Sequence, residues 1–252
     1  MTPFVAEFVG TALLILFGNG VVCNVSLART LGNGGGWLLI NAGWGLAVFV
    51  GAFCSAAASG AHLNPAVSIA MAVAGKMSWA EAVSYIVAQF AGAILGAALV
   101  YFFYRAHFAV TDDADKKLGC FCNAPVIRDL PQAFFCEAVG TFALLLPVFL
   151  MASPSISLDG SQSPHPNGPV LGLGALGLLP VGLLVFAIGM SLGGTTGYAI
   201  NPARDLGPRI AHFLLPIPGK RDSDWGYSWV PVAGPIVGGI LAAVVYRFLI
   251  PS

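Results

Sequence analysis

Two stretches of this sequence carry the same tripeptide in similar surroundings: GAHLNPAVSIA at residues 60–70 and GYAINPARDLG at residues 197–207. The tripeptides, Asn64-Pro65-Ala66 and Asn201-Pro202-Ala203, open apolar segments at residues 64–75 and 202–217. Asparagine is a strong N-cap, and proline fits the first helical turn, where its missing N–H would have no partner. Each segment is about half as long as a membrane span, which favours a re-entrant segment. We therefore predict two half-helices that enter the membrane without crossing it.

The composition indicates a membrane protein. Of the 252 residues, 57% are hydrophobic and only 9% are charged, whereas a soluble domain carries about 25% charged residues. A membrane-crossing helix needs about 20 mostly apolar residues. Six stretches meet this requirement: residues 4–25, 36–58, 79–104, 132–152, 170–192 and 228–250. The predicted fold is an all-α membrane protein with six transmembrane helices and two re-entrant half-helices.

The two halves of the chain are alike. AEFVGT (6–11) matches CEAVGT (136–141), and AGAILGAAL (91–99) matches AGPIVGGIL (233–241), in the same order as the two Asn-Pro-Ala segments. Each half holds three spans, and an odd number of spans makes the second copy enter the membrane from the opposite face. We expect a single transmembrane domain over residues 1–252, with inverted repeats at 1–107 and 131–252. An outer loop joins the repeats, and the polar loop 153–169 lies inside repeat two.

Irregular backbone precedes each predicted half-helix. Such backbone is tolerated at membrane depth only where it is buried in protein or lines a water-filled cavity. We therefore expect a ladder of carbonyl acceptors from Gly60, Ala61, His62, Tyr198, Ala199 and Ile200. Where the half-helices meet, their N-termini present partial positive charges, and Asn64 and Asn201 add amide donors. Such a site suits small neutral hydroxylic molecules and repels cations.

SGAHLNPAV and GYAINPARDLGPR, together with the inverted repeat, resemble the major intrinsic protein family, the aquaporins and aquaglyceroporins, over essentially the whole chain. The resemblance implies a selectivity filter formed by Trp44, Gly189, Tyr198 and Arg204. Water-selective members usually carry histidine where this chain has Gly189. Glycine leaves room for a carbon backbone, Trp44 and Tyr198 form an apolar corner, and Arg204 offers fixed donors to hydroxyl groups.

Within the family, the chain is most similar to the glycerol-facilitator branch. This narrower resemblance rests on Tyr104, Asp205, Arg209, Pro231 and Val232. One departure is Tyr198, where glycerol facilitators often carry phenylalanine, so the expected filter gains a hydroxyl group. The predicted function is a passive channel for glycerol and other small neutral polyols, and also for water. The nearest alternative is a water-selective aquaporin.

Three ionisable residues within the apolar segments allow more than one interpretation. An arginine inside a membrane is costly, so a functional role is the default, although Arg204 could instead form a structural salt bridge with Asp205. Glu7 and Glu137 occupy equivalent positions in the first and fourth spans. The family resemblance implies that they support the pore loops by accepting hydrogen bonds from loop N–H groups. The alternative is a proton relay in a proton-coupled secondary transporter.

Other classes of function have little support. No nucleophile–base pair or phosphate-binding glycine loop indicates an enzyme, and we predict no cofactor and no metal site, since the cysteines lack zinc spacing. The net charge of zero gives no electrostatic case for nucleic acid. The expected partners are small neutral solutes and membrane lipids, and the family resemblance implies a homotetramer. The charged residues 112–117 are interpreted as a solvated loop.

The orientation in the membrane is the point on which two arguments disagree. The family resemblance implies a plasma (inner) membrane protein with both termini in the cytoplasm. In that orientation the inner connections hold only Lys76 and Arg247, contrary to the positive-inside rule. The outer side then carries Arg29, Arg105, Lys116, Lys117, Arg128, Arg209, Lys220 and Arg221. We retain the family orientation, because charges in longer loops weigh less.

Overall fold

The computed structural model describes residues 1–151 and 172–250. Within these ranges the chain forms ten α-helices, one 3₁₀ helix and no β-strand. The α-helices are α1 (Pro3–Ser26), α2 (Gly36–Ser59), α3 (Pro65–Val73), α4 (Trp79–Phe103), α5 (Arg105–Val110), α6 (Ala114–Gly119), α7 (Leu130–Leu150), α8 (Leu179–Leu192), α9 (Pro202–Leu214) and α10 (Val230–Leu249). Six helical segments are long and apolar enough to cross a membrane, and α3 and α9 are the two half-helices. The predicted all-α fold is confirmed.

The fifth span differs from its predicted bounds. It begins with the 3₁₀ helix, Gly174–Leu178, and α8 follows with only 14 residues. Pro180 lies in the first turn of α8, where proline is favoured because its missing N–H needs no partner. The predicted start at residue 170 and the polar loop 153–169 lie outside the described residues.

The interpretation of residues 112–117 as a solvated loop holds for Asp112, Asp113, Asp115 and Lys116, which are exposed, but needs correction for the local helix and for Lys117. Asp113 caps the short helix α6 by accepting hydrogen bonds from two backbone N–H groups. Lys117 is only 3% exposed, and its Nζ donates to the Pro218 carbonyl at 2.5 Å. A charged group can be buried in this way only when it is hydrogen-bonded. The segment therefore packs against the loop that follows α9.

Glycines let the long helices approach closely. α1 packs against α2 and α4, and α7 packs against α10. A Cβ at Gly96 of α4 would lie 2.5 Å from the Ala12 carbonyl oxygen, and a Cβ at Gly238 of α10 would lie 2.1 Å from that of Ala138. No larger residue fits either contact without moving a helix. Small residues of this kind allow close packing between membrane helices, and both repeats use them in the same place.

The half-helices connect the two repeats. α3 of repeat one packs against α10 of repeat two, and α9 of repeat two packs against α4 of repeat one. Each half-helix thus contacts the third span of the opposite repeat. This exchange brings the N-terminal ends of α3 and α9 together, where their capping residues form hydrogen bonds across the repeat boundary.

Candidate pore

The tips of the two half-helices form a nearly symmetric contact. Asn64 caps α3, with its Oδ1 accepting from the Ala66 N–H at 2.9 Å, and Asn201 caps α9 in the same way. The Asn64 Nδ2 donates to the Ile200 carbonyl at 2.8 Å, and the Asn201 Nδ2 donates to the Leu63 carbonyl at 2.8 Å. Because an amide nitrogen carries two N–H donors, each asparagine keeps a second donor. Two electropositive helix ends therefore meet at one point.

The loops before the half-helices have an unusual backbone. Ala61 and Leu63 have φ angles of 57° and 52°, and Tyr198 and Ile200 have φ angles of 41° and 43°. Residues with side chains rarely adopt positive φ, and such a conformation costs about 1–3 kcal/mol each. The same pattern at matching positions of both repeats means that each loop needs strong contacts to hold it.

Glu7 provides these contacts in repeat one. Its fully buried carboxylate accepts hydrogen bonds from the backbone N–H groups of His62 at 2.9 Å and Leu63 at 2.7 Å. It also accepts from the Ser59 hydroxyl at 2.6 Å and the Gln89 amide at 2.8 Å. A buried carboxylate must be satisfied in this way. Glu7 thus holds the loop before α3 in place from the side that faces into the protein.

Glu137 does the same in repeat two. It is fully buried and accepts from the N–H groups of Ala199 at 2.9 Å and Ile200 at 2.8 Å. The Thr196 hydroxyl donates to it at 2.7 Å. Both carboxylates therefore lie against loop N–H groups, on the side of each loop that faces into the protein.

The directions of the loop carbonyls follow from these bonds. Across a trans peptide bond the N–H and the preceding C=O point in opposite directions, so carbonyls paired with carboxylate-bound N–H groups point away from the glutamates. These carbonyls belong to Ala61, His62, Tyr198 and Ala199. The Ile200 carbonyl, which was also expected to be an acceptor, accepts from the Asn64 amide and keeps a second lone pair. The carbonyl of Leu63, the counterpart of Ile200 in repeat one, accepts from the Asn201 amide.

A cavity of about 210 Å³ passes these groups. Its lining combines loop residues with apolar side chains that include Leu14, Val48 and Val185. Of the predicted site residues, those that line it are Trp44, Gly60, Ala61, His62, Asn64, Tyr198, Ala199, Ile200, Asn201 and Arg204. The remaining tripeptide residues, Pro65, Ala66, Pro202 and Ala203, are buried in the first turns of their helices.

Arg204 and Trp44 are stacked at the cavity wall. The Arg204 Cζ lies 4.0 Å from the centroid of the Trp44 ring, which is a favourable cation–π geometry. A Cβ at Gly18 would lie 2.2 Å from the Trp44 ring, so glycine at that position makes room for the indole. Within residues 1–151 and 172–250 Arg204 forms no salt bridge, because Asp205 pairs with Arg209 at 2.7 Å instead. The alternative interpretation of Arg204 as a structural partner of Asp205 is therefore wrong.

Gly189 does not itself line the cavity. A Cβ there would lie 2.6 Å from the Tyr198 Cζ, 2.7 Å from its hydroxyl oxygen and 2.6 Å from the Asn41 Oδ1. The room that glycine leaves is thus filled by the Tyr198 phenol and the Asn41 amide. The expectation that Gly189 itself lines the filter needs correction. Because residue 189 has no side chain, the Tyr198 ring fits beside it, and this ring lines the cavity.

The five positions that suggested the glycerol-facilitator branch all lie outside the cavity lining: Tyr104, Asp205, Arg209, Pro231 and Val232. Asp205 and Arg209 have a structural task. The fully buried Arg209 donates to Asp205 at 2.7 Å and to the carbonyls of Ser223 at 2.7 Å and Asn123 at 2.9 Å. Asp205 also accepts from the Asn123 N–H at 2.7 Å. The pair joins α9 to two loops.

Comparison with known proteins shows to which family the chain belongs. The sequence profile described as "Major intrinsic protein" matches residues 1–246. This chain belongs to the major intrinsic protein family. A family member from Thermotoga maritima, described as a probable glycerol uptake facilitator protein, is 49% identical over 249 residues, covering 99% of this chain and 100% of the relative. The glycerol uptake facilitator protein of Streptococcus pneumoniae is 46% identical, with 98% of each chain covered.

A solved structure from the same family has the same architecture. The X-ray structure of the aquaglyceroporin from Plasmodium falciparum superposes with a TM-score of 0.78 at 33% identity, covering 96% of this chain and 93% of that one. With its six membrane-length helices and these relatives, this member of the major intrinsic protein family is an integral membrane protein. The resemblance inferred from the two Asn-Pro-Ala segments is confirmed.

Several residues around the pore were missed by sequence reasoning. These residues are Asn41, Trp37 and Gln89. They lie on long apolar helices, and only packing reveals which helical face meets the loops.

Proposed function

We propose that this chain is a passive channel through which glycerol, other small neutral polyols and water diffuse across a membrane. The observation that carries the proposal is the composition of the cavity wall, which combines apolar side chains with loop carbonyls, two asparagine amides and a guanidinium. A polyol has the same mixed character, with a carbon backbone and a row of hydroxyl groups. The names of the Thermotoga and Streptococcus relatives support the same class of solute.

The filter in this proposal is a corner of three side chains. Trp44 and Tyr198 offer apolar ring surface to the carbon backbone of the solute, while Arg204 offers N–H donors to its hydroxyl groups. The stacking of Arg204 on Trp44 holds the guanidinium in place. Gly189 acts indirectly, because it lets the Tyr198 ring lie back between α2 and α8.

Exclusion of ions follows from the charges around the cavity. Two helix N-termini meet at its centre, and Arg204 adds a full positive charge with no carboxylate partner in the described parts of the chain. Cations are repelled by this arrangement. A central water that accepts from both asparagine amides is oriented so that a chain of proton transfers is interrupted.

The two alternatives have weaker support. A proton-coupled transporter would need a carboxylate that can exchange protons with the cavity, but Glu7 and Glu137 are fully buried and accept several hydrogen bonds each from the loops. A water-selective channel usually places histidine at position 189. In this chain a histidine at that position would collide with Tyr198 and Asn41.

We further propose that the chain assembles as a homotetramer in the plasma (inner) membrane, with both termini in the cytoplasm. Family membership supports both. Large apolar side chains on α1, α2 and α4 are exposed in the single chain, among them Phe17, Leu46 and Phe103. Such surfaces are covered by lipid or by a second copy.

Several basic residues of the outer loops already form hydrogen bonds to carbonyl or carboxylate groups. Examples are Lys117, Arg128 and Lys220. These bonds support the orientation with cytoplasmic termini, although the number of basic residues on each side of the membrane opposes it.

The test is stopped-flow light scattering on vesicles that contain the purified chain. We expect fast uptake of glycerol, slower uptake of longer polyols, and water flow above that of empty vesicles. Collapse of the proton gradient with an ionophore should leave glycerol uptake unchanged. Water flow without glycerol uptake would favour the water-selective alternative, and dependence on the gradient would favour the transporter.

A further inference from the structure

Three buried polar atoms next to the filter have no hydrogen-bond partner in the described parts of the chain. They are the Asn41 Oδ1, the Asn41 Nδ2 and the Tyr198 hydroxyl oxygen. Asn41 is fully buried on α2, and Tyr198 is 6% exposed. Buried polar groups are nearly always hydrogen-bonded, so an unpaired group needs an explanation. Three such atoms from two neighbouring side chains point to one common cause.

Two of the unpaired atoms, the Asn41 Oδ1 and the Tyr198 hydroxyl oxygen, lie close to one another. The Asn41 Oδ1 and the Tyr198 hydroxyl oxygen lie 2.6 Å and 2.7 Å from the position that a Gly189 Cβ would occupy. Their separation therefore does not exceed the span of two hydrogen bonds of about 2.8 Å each. That is the distance over which one water molecule can join two polar groups. The side chain of Trp37 lies beside this region, donating to the Gly189 carbonyl at 3.2 Å with its ring centroid 6.0 Å from that of Tyr198.

We propose that the Asn41 amide and the Tyr198 hydroxyl bind one buried water molecule beside the filter, and that Asn41 is thereby a positioning residue for the Tyr198 ring. A buried water typically makes about three hydrogen bonds to groups that would otherwise be unpaired. The two atoms of the Asn41 amide and the Tyr198 hydroxyl supply that number. The inference rests on the proposed channel function only for its consequence, not for the water site itself.

The consequence concerns the width of the filter. The Tyr198 hydroxyl is buried between α2 and α8, so the bore meets the ring and not the hydroxyl. The water-mediated contact anchors the far end of that ring to α2. Without this anchor the ring can move, and the apolar corner that it forms with Trp44 becomes less well defined. Asn41 would then govern how well the channel discriminates between short and long polyols without touching either.

The test is a double-mutant cycle read out as solute selectivity. Asn41→Leu, Tyr198→Phe and the double variant are placed in vesicles, and the ratio of xylitol to glycerol permeability is measured by light scattering. Each single change should raise the ratio by about two- to tenfold, the range that corresponds to the loss of one hydrogen bond. The double variant should show no further rise, because both changes break the same contact. Asn41→Ser, which keeps a hydrogen-bonding group, should stay close to the unaltered chain.

Thr11→Val is the matched control, since Thr11 is another buried hydroxyl with no partner in residues 1–151 and 172–250 and does not line the cavity. It should leave the ratio unchanged. Additive effects of Asn41→Leu and Tyr198→Phe, or no effect of either, would overturn the proposal. A crystal structure of the unaltered chain decides the water site even if Asn41→Leu does not fold: a dry site would overturn the inference. Absence of glycerol flux through the unaltered chain would count against the channel function alone.

Discussion

Asn64 donates a hydrogen bond to the carbonyl of Ile200 at 2.8 Å, although the two residues are 136 positions apart in the chain. The equivalent bond in the opposite direction joins Asn201 to Leu63 at the same distance. Each asparagine therefore performs two tasks: its oxygen caps its own half-helix, and its nitrogen holds the loop of the other repeat. The cavity wall where the two half-helices meet depends on both tasks.

Replacement of Asn64 by aspartate separates these two tasks. The carboxylate can still cap α3, but it places an acceptor against the Ile200 carbonyl, where a donor is needed. We expect a loss of about 2–3 kcal/mol of stability and a large loss of glycerol flux, measured by thermal unfolding in detergent and by light scattering. Asn24→Asp is the matched control, since the Asn24 Oδ1 accepts from the Gly32 N–H at 3.1 Å and that bond survives. Equal behaviour of both variants would contradict the prediction.

Gly189→His should reduce glycerol flux far more than water flow. A Cβ at this position already lies 2.6 Å from Tyr198 and Asn41, so the larger side chain must push the Tyr198 ring into the bore. Vesicle measurements with both solutes provide the ratio. At Gly20, by contrast, nothing lies within 4 Å of a Cβ, and Gly20→His serves as the control. An equal loss of glycerol and water permeability in Gly189→His would show that Tyr198 does not set the bore.

Glu137→Gln tests the support of the loops. The amide nitrogen of glutamine would replace one of the two carboxylate oxygens and face the N–H group of either Ala199 or Ile200, leaving buried donors without an acceptor. We expect a loss of about 2–4 kcal/mol, seen as a lower unfolding temperature in detergent, together with reduced flux. Glu81→Gln is the control, because Glu81 is exposed and glutamine can also complete its capping box with Ser78. A stable, fully conducting Glu137→Gln variant would rule out the supporting role.

The ion pair between Arg128 and Asp224 predicts a pH-dependent stability. Arg128 donates to both carboxylate oxygens of Asp224, at 2.6 Å and 2.7 Å, and this contact lowers the pKa of Asp224 below its ordinary value of 3.8. A lowered pKa in the folded state means that the contribution is present above pH 3.8 and is lost as the pH falls through the folded-state value.

Arg128→Met should therefore destabilise the chain by about 1 kcal/mol at neutral pH, a modest amount because Arg128 is partly exposed to screening solvent. The difference from the unaltered chain should vanish in acid. Unfolding temperatures measured across the pH range provide the check. A difference that persists unchanged below the folded-state pKa of Asp224 would mean that packing of the arginine, not its charge, is responsible.

Much of this architecture could be predicted from local patterns. Apolar runs predicted the six spans, and the Asn-Pro pairs predicted where α3 and α9 begin. The fifth span was the least accurate, because Pro180 starts α8 after a 3₁₀ turn, a detail that hydropathy does not contain.

The contacts that complete the site were less predictable. The bond from Asn64 to Ile200 and the position of Asn41 behind Tyr198 join residues far apart in the chain. Local periodicity does not specify which polar side chain meets which loop. The role of Gly189 was misjudged for the same reason: an absent side chain looks like open space until the neighbour that fills it is known.

The exchange of hydrogen bonds between the repeats has a consequence for biosynthesis. When a ribosome has produced only repeat one, the Asn64 amide and the Leu63 carbonyl still lack their partners, which are Ile200 and Asn201. α10, against which α3 packs, is made later still. The first half-helix therefore lacks these contacts during translation, and the pore is complete only when the last span has entered the bilayer.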